Sequence, residues 1–251
     1  LPYPLAPGNE EERMAAEITT DGLFSGALLI DQPARGYRVN VDALLLASFA
    51  AVRHAALCVD LGAGVGAVAL SLHHLGAARR LELVELEPSL AKLAEHNLAR
   101  AGAKGAVHVA NLEKGLPGAL KQRADLVVCN PPFFEPQASR PAREPLKRAA
   151  RSGSLGPFLR AAAAALRGPR GRATFVYPAR SLAALLSEAQ SAGLVPKRMR
   201  LIHPDATAPA RAALVELRRA KPGGLVVEAP LIEWSAPGRR SPELGELLGR
   251  K

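Results

Sequence analysis

A strand-like run, a glycine-rich loop and a helix follow one another between residues 57 and 72, and this order constrains the fold more than any other stretch of the chain. Residues 57–61 are the apolar run, Gly62 to Gly66 the loop, and the helical segment extends to Leu72. Glycines let the backbone approach a ligand, and a helix start offers N–H groups without partners. The order predicts an α/β fold with a ligand site at the loop. Because Gly62, Gly64 and Ala67 also satisfy the dinucleotide-binding pattern, the loop alone leaves the ligand open.

Strand-like and helix-like segments alternate along the rest of the chain. Further strands are expected at 80–86, 106–110, 125–129 and 173–177, separated by helices at 89–101, 155–166 and 180–192. The last two strand-like runs, 198–203 and 213–218, are joined by too few residues for a crossover helix, so they should pair antiparallel. We therefore expect a Rossmann-like, seven-stranded, mostly parallel sheet with an antiparallel last strand and helices on both faces.

The domain boundaries follow from composition. A polar lead-in rich in Pro and Glu covers residues 1–24, the main domain covers 25–235, and a tail covers 236–251. From residue 221 onward the chain is expected to be exposed, with one short strand at 225–227.

Just before the glycine loop, two short strands fit residues 26–33 and 36–40. They lead into a buried helix, and Asn40 fits its N-cap. Asp42 in the first turn either complements the helix dipole or binds an ammonium group of a ligand.

Asn130-Pro131-Pro132-Phe133 directly follows the apolar run at 124–129. Each proline fixes its own φ and lacks an N–H, so the backbone carbonyls are held in set directions. A planar NH₂ group can donate to the Asn130 amide oxygen and to the Pro131 carbonyl, which exposes the nitrogen lone pair, while its ring stacks on Phe133. Taken alone, the motif also fits a rigid turn after a buried strand.

Further polar residues follow other predicted strands. Glu85 lies about 20 positions beyond the glycines, where a carboxylate accepts both hydroxyls of a ribose. Glu87 competes for this role, but it precedes a proline and fits a helix cap. Asn111 either bonds an adenine edge, with Leu112 against the ring, or caps the next turn. Because ligands of open α/β sheets bind at the carboxyl ends of strands, these residues and the Asn-Pro-Pro-Phe motif predict one crevice.

The net charge of +10 is unevenly distributed. Residues 1–60 hold four Arg against eight acidic residues, whereas residues 131–180 hold ten Lys and Arg against two Glu. The Pro-containing stretch 134–152 suits a segment that orders over substrate, and a disordered insertion is the alternative. Its position beside the motif favours phosphate binding over a merely solvated surface. The candidate substrate- and RNA-binding residues are Phe134, Arg140, Arg143, Lys147, Arg148 and Arg151.

Cysteine, histidine and hydropathy patterns bear on metals, redox state and membranes. Cys58 and Cys129 each lie inside an apolar run, so buried reduced thiols are expected. We expect no metal site, because no Cys/His cluster has zinc spacing. No apolar run has the length of a membrane span, and the first residues lack a signal pattern, so a cytoplasmic location and no membrane partner are expected.

The ordered motifs resemble those of class I S-adenosylmethionine-dependent methyltransferases that act on amino groups. The resemblance rests on residues 60–66, on Glu85 and on Asn130-Pro131-Pro132-Phe133. The segment from Gln32 to Ala47 is similar to the one before the glycine loop in the bacterial valine-tRNA adenine N6-methyltransferase family. That family modifies the adenine 3′ of the anticodon. The resemblance covers about residues 20–235.

This resemblance implies S-adenosylmethionine as cofactor, tRNA as partner and a role for each matching residue. The catalytic residues would be Asn130, Pro131, Pro132 and Phe133. The cofactor-binding residues would be Arg38, Asp42, Asp60, Gly62, Gly64, Glu85, Asn111, Leu112 and Asn130. Within that set Asp60 and the glycines would hold the methionine part, Glu85 the ribose and Asn111 the adenine. The family usually has Asp where this chain has Asn111, and an Asn oxygen can still accept a hydrogen bond.

Three alternatives stay open. A glutamine N5-methyltransferase acting on protein can carry the same four-residue motif, although the charge after Phe133 favours nucleic acid. A nicotinamide-dependent dehydrogenase fits the glycine loop but leaves the motif unexplained. A module that binds the donor and RNA without catalysis fits the same residues.

Overall fold

The computed structural model describes residues 18–36, 38–132 and 154–249. Its α-helices are α1 (Val41–Ala50), α2 (Ala67–His74), α3 (Pro88–Arg100), α4 (Gly156–Ala165), α5 (Leu182–Ser191) and α6 (Pro242–Leu247). Its longer strands are β1 (Ile18–Leu23), β2 (Leu28–Pro33), β3 (Ala55–Leu61), β4 (Ala78–Glu85), β5 (Gly105–Val109), β6 (Leu126–Cys129), β7 (Arg172–Pro178), β8 (Val195–His203) and β9 (Ala212–Arg218). Four short strands follow: β10 (Val226–Val227), β11 (Leu231–Ile232), β12 (Trp234–Ala236) and β13 (Arg239–Arg240).

The main sheet has the order β10-β8-β9-β7-β6-β3-β4-β5, and β11 also pairs with β8. Strands β5, β4, β3, β6 and β7 run parallel, whereas β9 lies antiparallel between β7 and β8. The expected Rossmann-like sheet is confirmed, and so is the antiparallel pairing of the last two long strands. The two added strands, β10 and β11, are only two residues long each.

Helices cover both faces of the sheet, so the central strands are buried on both sides. One core lies between the sheet and α1, α2 and α3, and includes Leu45, Leu70 and Leu83. The other lies under α4 and α5, and includes Phe175 and Leu159. Parallel strands covered in this way need continuous apolar runs, which the sequence supplies in β3 and β6.

Both cysteines, Cys58 in β3 and Cys129 in β6, are free and buried, as expected. Burial raises the pKa of both thiols well above the ordinary range, which keeps them protonated. These thiols are therefore part of the packed core.

The N-terminal region differs from the expectation. Residues 18–23, assigned to the lead-in by sequence, form β1, which pairs antiparallel with β2 in a separate hairpin. The described part of the stretch expected as a second strand, residues 36 and 38–40, is not a strand. The expected helix does begin at Val41, and the Asn40 Oδ1 accepts a hydrogen bond from the Asp42 N–H at 3.1 Å.

The C-terminal region is more structured than the expected exposed tail. The short strand at 225–227 is present as β10 and is exposed. After it, Leu231, Leu244 and Leu248 are buried in the core beside α1. The Ser241 Oγ accepts a hydrogen bond from the Leu244 N–H and caps α6. Local composition did not predict this packing because the segment is short and rich in Pro, Gly and Arg.

Candidate active site

The glycine loop joins β3 to α2 at the carboxyl edge of the sheet. Gly62, Gly64 and Gly66 have φ values of +69°, +56° and +88°, a region that residues with a Cβ rarely adopt. A Cβ on Gly66 would lie 2.9 Å from the Leu83 Cδ2, so only glycine fits between the loop and β4. The loop is thereby held close to the sheet with the start of α2 behind it.

Two carboxylates, those of Glu85 and Asp60, flank this loop. The Glu85 Oε2 accepts a hydrogen bond from the Gly64 N–H at 2.7 Å, while its Oε1 accepts from the N–H groups of Leu86 and Glu87. Glu85 therefore lies against the loop, as its spacing predicts. Glu87 is the N-cap residue of α3 and its side chain forms no capping hydrogen bond.

Asp60 lies at the end of β3, only 1% exposed. Its Oδ2 accepts a hydrogen bond from the Ala69 N–H in α2 at 3.1 Å. Burial raises the pKa of Asp60 to about 7, the Ala69 N–H acts in the opposite direction, and the Glu85 carboxylate acts in the same direction as burial. The site thus contains a buried acid that a bound cation would keep ionised.

Strand register places the Asn-Pro-Pro motif beside the loop. Strands β3 and β6 pair so that Asn130 comes level with Gly62, and β3 and β4 pair so that Glu85 comes level with Gly62 on the other side. Pro131 is buried, whereas Asn130 and Pro132 are partly exposed. In the described part of the chain the Asn130 amide forms no hydrogen bond.

Asn111 follows β5 on the far side of β4. The Glu85 carbonyl accepts a hydrogen bond from the Ala110 N–H at 2.9 Å, which fixes Asn111 just beyond the level of Glu85. The Asn111 Oδ1 accepts from the Glu113 N–H at 2.8 Å and caps a short 3₁₀ helix, Leu112–Lys114, in which Leu112 is buried. The capping role considered for Asn111 is therefore present in the structure.

Arg38 and Asp42 are engaged with other parts of the protein. The Arg38 guanidinium lies 2.6 Å from the Asp21 carboxylate and donates to Thr19 in the N-terminal hairpin. The buried Asp42 Oδ1 lies 2.7 Å from Arg211 Nη2. These partners hold the start of α1 against the hairpin and against β9.

Several predicted residues lie outside the described part of the chain. They are Phe133, Phe134, Arg140, Arg143, Lys147, Arg148 and Arg151. Among the described residues, no group of three or more His, Cys, Asp or Glu is placed to hold a metal ion. In the same residues no helix is long and apolar enough to cross a membrane.

Two residues that the sequence reasoning missed support the glycine loop. Asn97 in α3 is fully buried, and its Nδ2 donates to the Val65 carbonyl at 3.0 Å and to the Asp31 carbonyl at 2.9 Å. Phe158 in α4 is partly exposed, and its Cε1 lies 3.0 Å from the position of a Cβ on Gly62. An Asn on the apolar side of an amphipathic helix was the available signal for the first, and an aromatic residue in an Ala-rich helix for the second.

Comparisons with known proteins identify the family. Residues 37–152 match the family model described as "Methyltransferase small domain". The chain is 31% identical over 180 residues to the "tRNA1(Val) (adenine(37)-N6)-methyltransferase" of Porphyromonas gingivalis, covering 68% of this chain and 70% of the relative. It is also 31% identical over 159 residues to the enzyme of that name from Actinobacillus pleuropneumoniae, covering 62% of this chain and 66% of the relative, just under two thirds of its length.

The fold comparison agrees. A crystal structure from Agrobacterium tumefaciens, described as a predicted O-methyltransferase, superposes with a TM-score of 0.64 at 25% identity, covering 83% of this chain and 96% of that chain. The donor of this class is S-adenosylmethionine. The chain therefore belongs to the class I S-adenosylmethionine-dependent methyltransferases, within the family of the bacterial tRNA1(Val) (adenine(37)-N6)-methyltransferases.

Proposed function

We propose that this protein methylates adenine N6 in tRNA, at an adenosine of the anticodon loop, with S-adenosylmethionine as donor. The observation that carries the proposal is the position of Asn130, level with Gly62 and Glu85 and with an amide that no described residue engages. The names of the relatives support tRNA as the acceptor.

The residues around the glycine loop fit the donor. Asp60 is a buried carboxylate suited to the ammonium group of the methionine part, and Gly62 and Gly64 leave room for a ligand against the backbone. Glu85 offers a carboxylate to the ribose hydroxyls at the adjacent strand end, and Asn111 with Leu112 would contact the adenine. Bound there, S-adenosylmethionine supplies an electrophilic methyl group on a positively charged sulfur.

The acceptor half of the site consists of Asn130 and Pro131. We infer that the Asn130 amide oxygen and the Pro131 carbonyl each accept one N–H of the target amine, and Phe133 would stack on its ring. Two such hydrogen bonds draw the nitrogen lone pair out of conjugation, so that it can displace the sulfur from the methyl carbon directly. The surplus amine proton then leaves to solvent. Catalysis in this account consists of orientation and electrostatic preorganisation.

The experiment that tests this function is identification of the methylated product. The protein is incubated with labelled S-adenosylmethionine and either total tRNA, rRNA or protein from a strain that lacks it, and each digest is analysed by mass spectrometry. Labelled N6-methyladenosine from tRNA is expected. Labelled N5-methylglutamine from protein would overturn the proposal in favour of a protein methyltransferase, and donor binding without any product would indicate a binding module.

A further inference from the structure

A row of cations runs along the amino edge of the sheet, opposite the crevice. Seven neighbouring strands, in the order β8, β9, β7, β6, β3, β4 and β5, each have a Lys or Arg within three residues of this edge. In that order the cations are Lys197, Arg219, Arg170, Arg123, Arg53, Arg79 and Lys104. All except Lys197 are exposed.

The acidic residues near this edge are already engaged. Glu82 is buried between Arg80 and His108, and Glu216 is buried against Arg198 and Arg218. The carboxylate of Asp125 accepts hydrogen bonds from the N–H groups of residues 56 and 57. Within the described residues, none of the six exposed cations of the row forms an ion pair. The positive charge of the row is therefore open to an external polyanion.

The surface also has a concave part. A cavity of about 380 Å³ lies beside the carboxyl ends of α4 and α5, with Lys121 and Arg219 in its lining. A phosphate group entering it would lie close to both cations. Isolated solvated charges on a convex surface do not provide such an arrangement.

We propose that this amino edge is a second RNA-binding surface, which contacts backbone phosphates remote from the methylated base. Strands lie about 4.8 Å apart, so seven of them place cations over about 29 Å, which is long enough to meet several successive backbone phosphates. That the RNA is the methylation substrate rests on the proposed function, whereas binding at this edge does not require methyl transfer.

Charge reversal at three separated positions of this surface tests the proposal. The triple variant Arg79→Glu, Lys121→Glu, Arg170→Glu is compared with Arg35→Glu, Lys92→Glu, Arg239→Glu, which reverses three exposed cations elsewhere and has the same net charge. Binding of fluorescent tRNA is measured across a salt series. Loss of about three phosphate contacts should weaken binding by about tenfold or more and lower the magnitude of the salt slope by about 2.

The control variant should bind tRNA within about twofold of the unmodified protein, because its charge changes lie away from the row and the cavity. Equal weakening in both triple variants would overturn the proposal, as would an unmodified protein that binds no RNA. The carboxyl ends of helices also face this edge, so the cations could act only by stabilising those helix ends. Such a role predicts that the first triple variant has a lower melting temperature and an unchanged affinity for tRNA. That result would also overturn the proposal. Weaker binding in the first variant alone would support this RNA-binding surface. If no RNA were methylated by the unmodified protein, that separate result would count against the proposed function only.

Discussion

At the scale of single residues, the least ordinary group in the crevice is the carboxylate of Asp60. Its pKa of about 7 lies well above the ordinary value of 3.8, chiefly because the side chain is buried. Between those two values the folded protein binds more protons at this residue than the unfolded chain does. Stability therefore falls as pH rises through this window, unless a cation compensates the charge.

Asp60→Asn should remove this dependence. Relative to the variant, the unmodified protein without donor should lose stability between about pH 4 and pH 7, which melting curves at several pH values would measure. The affinity of the unmodified protein for S-adenosylmethionine should rise over the same window, because the ionised form binds the ammonium group. Identical pH profiles for the two proteins would contradict this role of Asp60.

At the scale of elements, the glycine loop depends on α3. The Asn97 side chain donates to the Val65 carbonyl in the loop and to the Asp31 carbonyl in the hairpin strand β2, and it accepts from the Asp31 N–H. All three hydrogen bonds are to backbone groups. One side chain thus holds three elements in place. The hydrogen bonds also satisfy backbone groups that would otherwise be buried without partners.

Asn97→Ala should lower the free energy of unfolding by about 3 kcal/mol, because it leaves buried donors and acceptors unpaired. Urea denaturation measures this loss. Glu95→Ala, an exposed position of the same helix, is the control and should change stability by less than about 0.5 kcal/mol. A similar small change for Asn97→Ala would show that water or rearrangement replaces its hydrogen bonds.

The sequence predicted those elements and site positions that are specified locally. Spacing along the chain was sufficient to place Glu85 against the glycine loop, and an apolar run followed by Asn130 was sufficient to place the motif at a strand end. Asn97 was missed because its partners lie 32 and 66 residues away in the chain. The burial of Leu231 and Leu244 was missed for the same reason, since short polar segments become part of a core only through distant contacts.

At the scale of the whole molecule, an ion-pair network joins the C-terminal segment to the start of α1. The Arg211 guanidinium donates to both carboxylate oxygens of Glu233 at 2.6 Å and lies 2.7 Å from Asp42 at the start of α1. Both carboxylates are buried. The C-terminal segment therefore supports the helix that packs beside the crevice.

Arg211→Met should cost about 3 kcal/mol of stability, because it leaves two buried carboxylates without their partner. The triple variant with Asp42→Asn and Glu233→Gln should recover most of this loss, since no buried charge then remains. Urea denaturation of the two variants makes the comparison. A loss below about 1 kcal/mol in Arg211→Met would contradict the role assigned to the network.

The cationic segment after the motif should act on RNA binding and not on donor binding. Arg143→Glu combined with Arg148→Glu should weaken tRNA binding and reduce its salt dependence, because two phosphate contacts are lost. Affinity for S-adenosylmethionine should stay unchanged. Parallel titrations with tRNA and donor measure both quantities, and an unchanged tRNA affinity would remove the segment from the RNA interface.

The most direct test of the account is Asn130→Ala, because Asn130 is the residue assigned to the target amine. Calorimetric titration should show S-adenosylmethionine binding close to that of the unmodified protein, since the glycine loop, Asp60 and Glu85 are retained. Single-turnover methyl transfer to tRNA should fall by about 100-fold or more, as expected for loss of a preorganised polar group in the transition state. A variant that binds the donor and still methylates tRNA at a comparable rate would contradict the central claim.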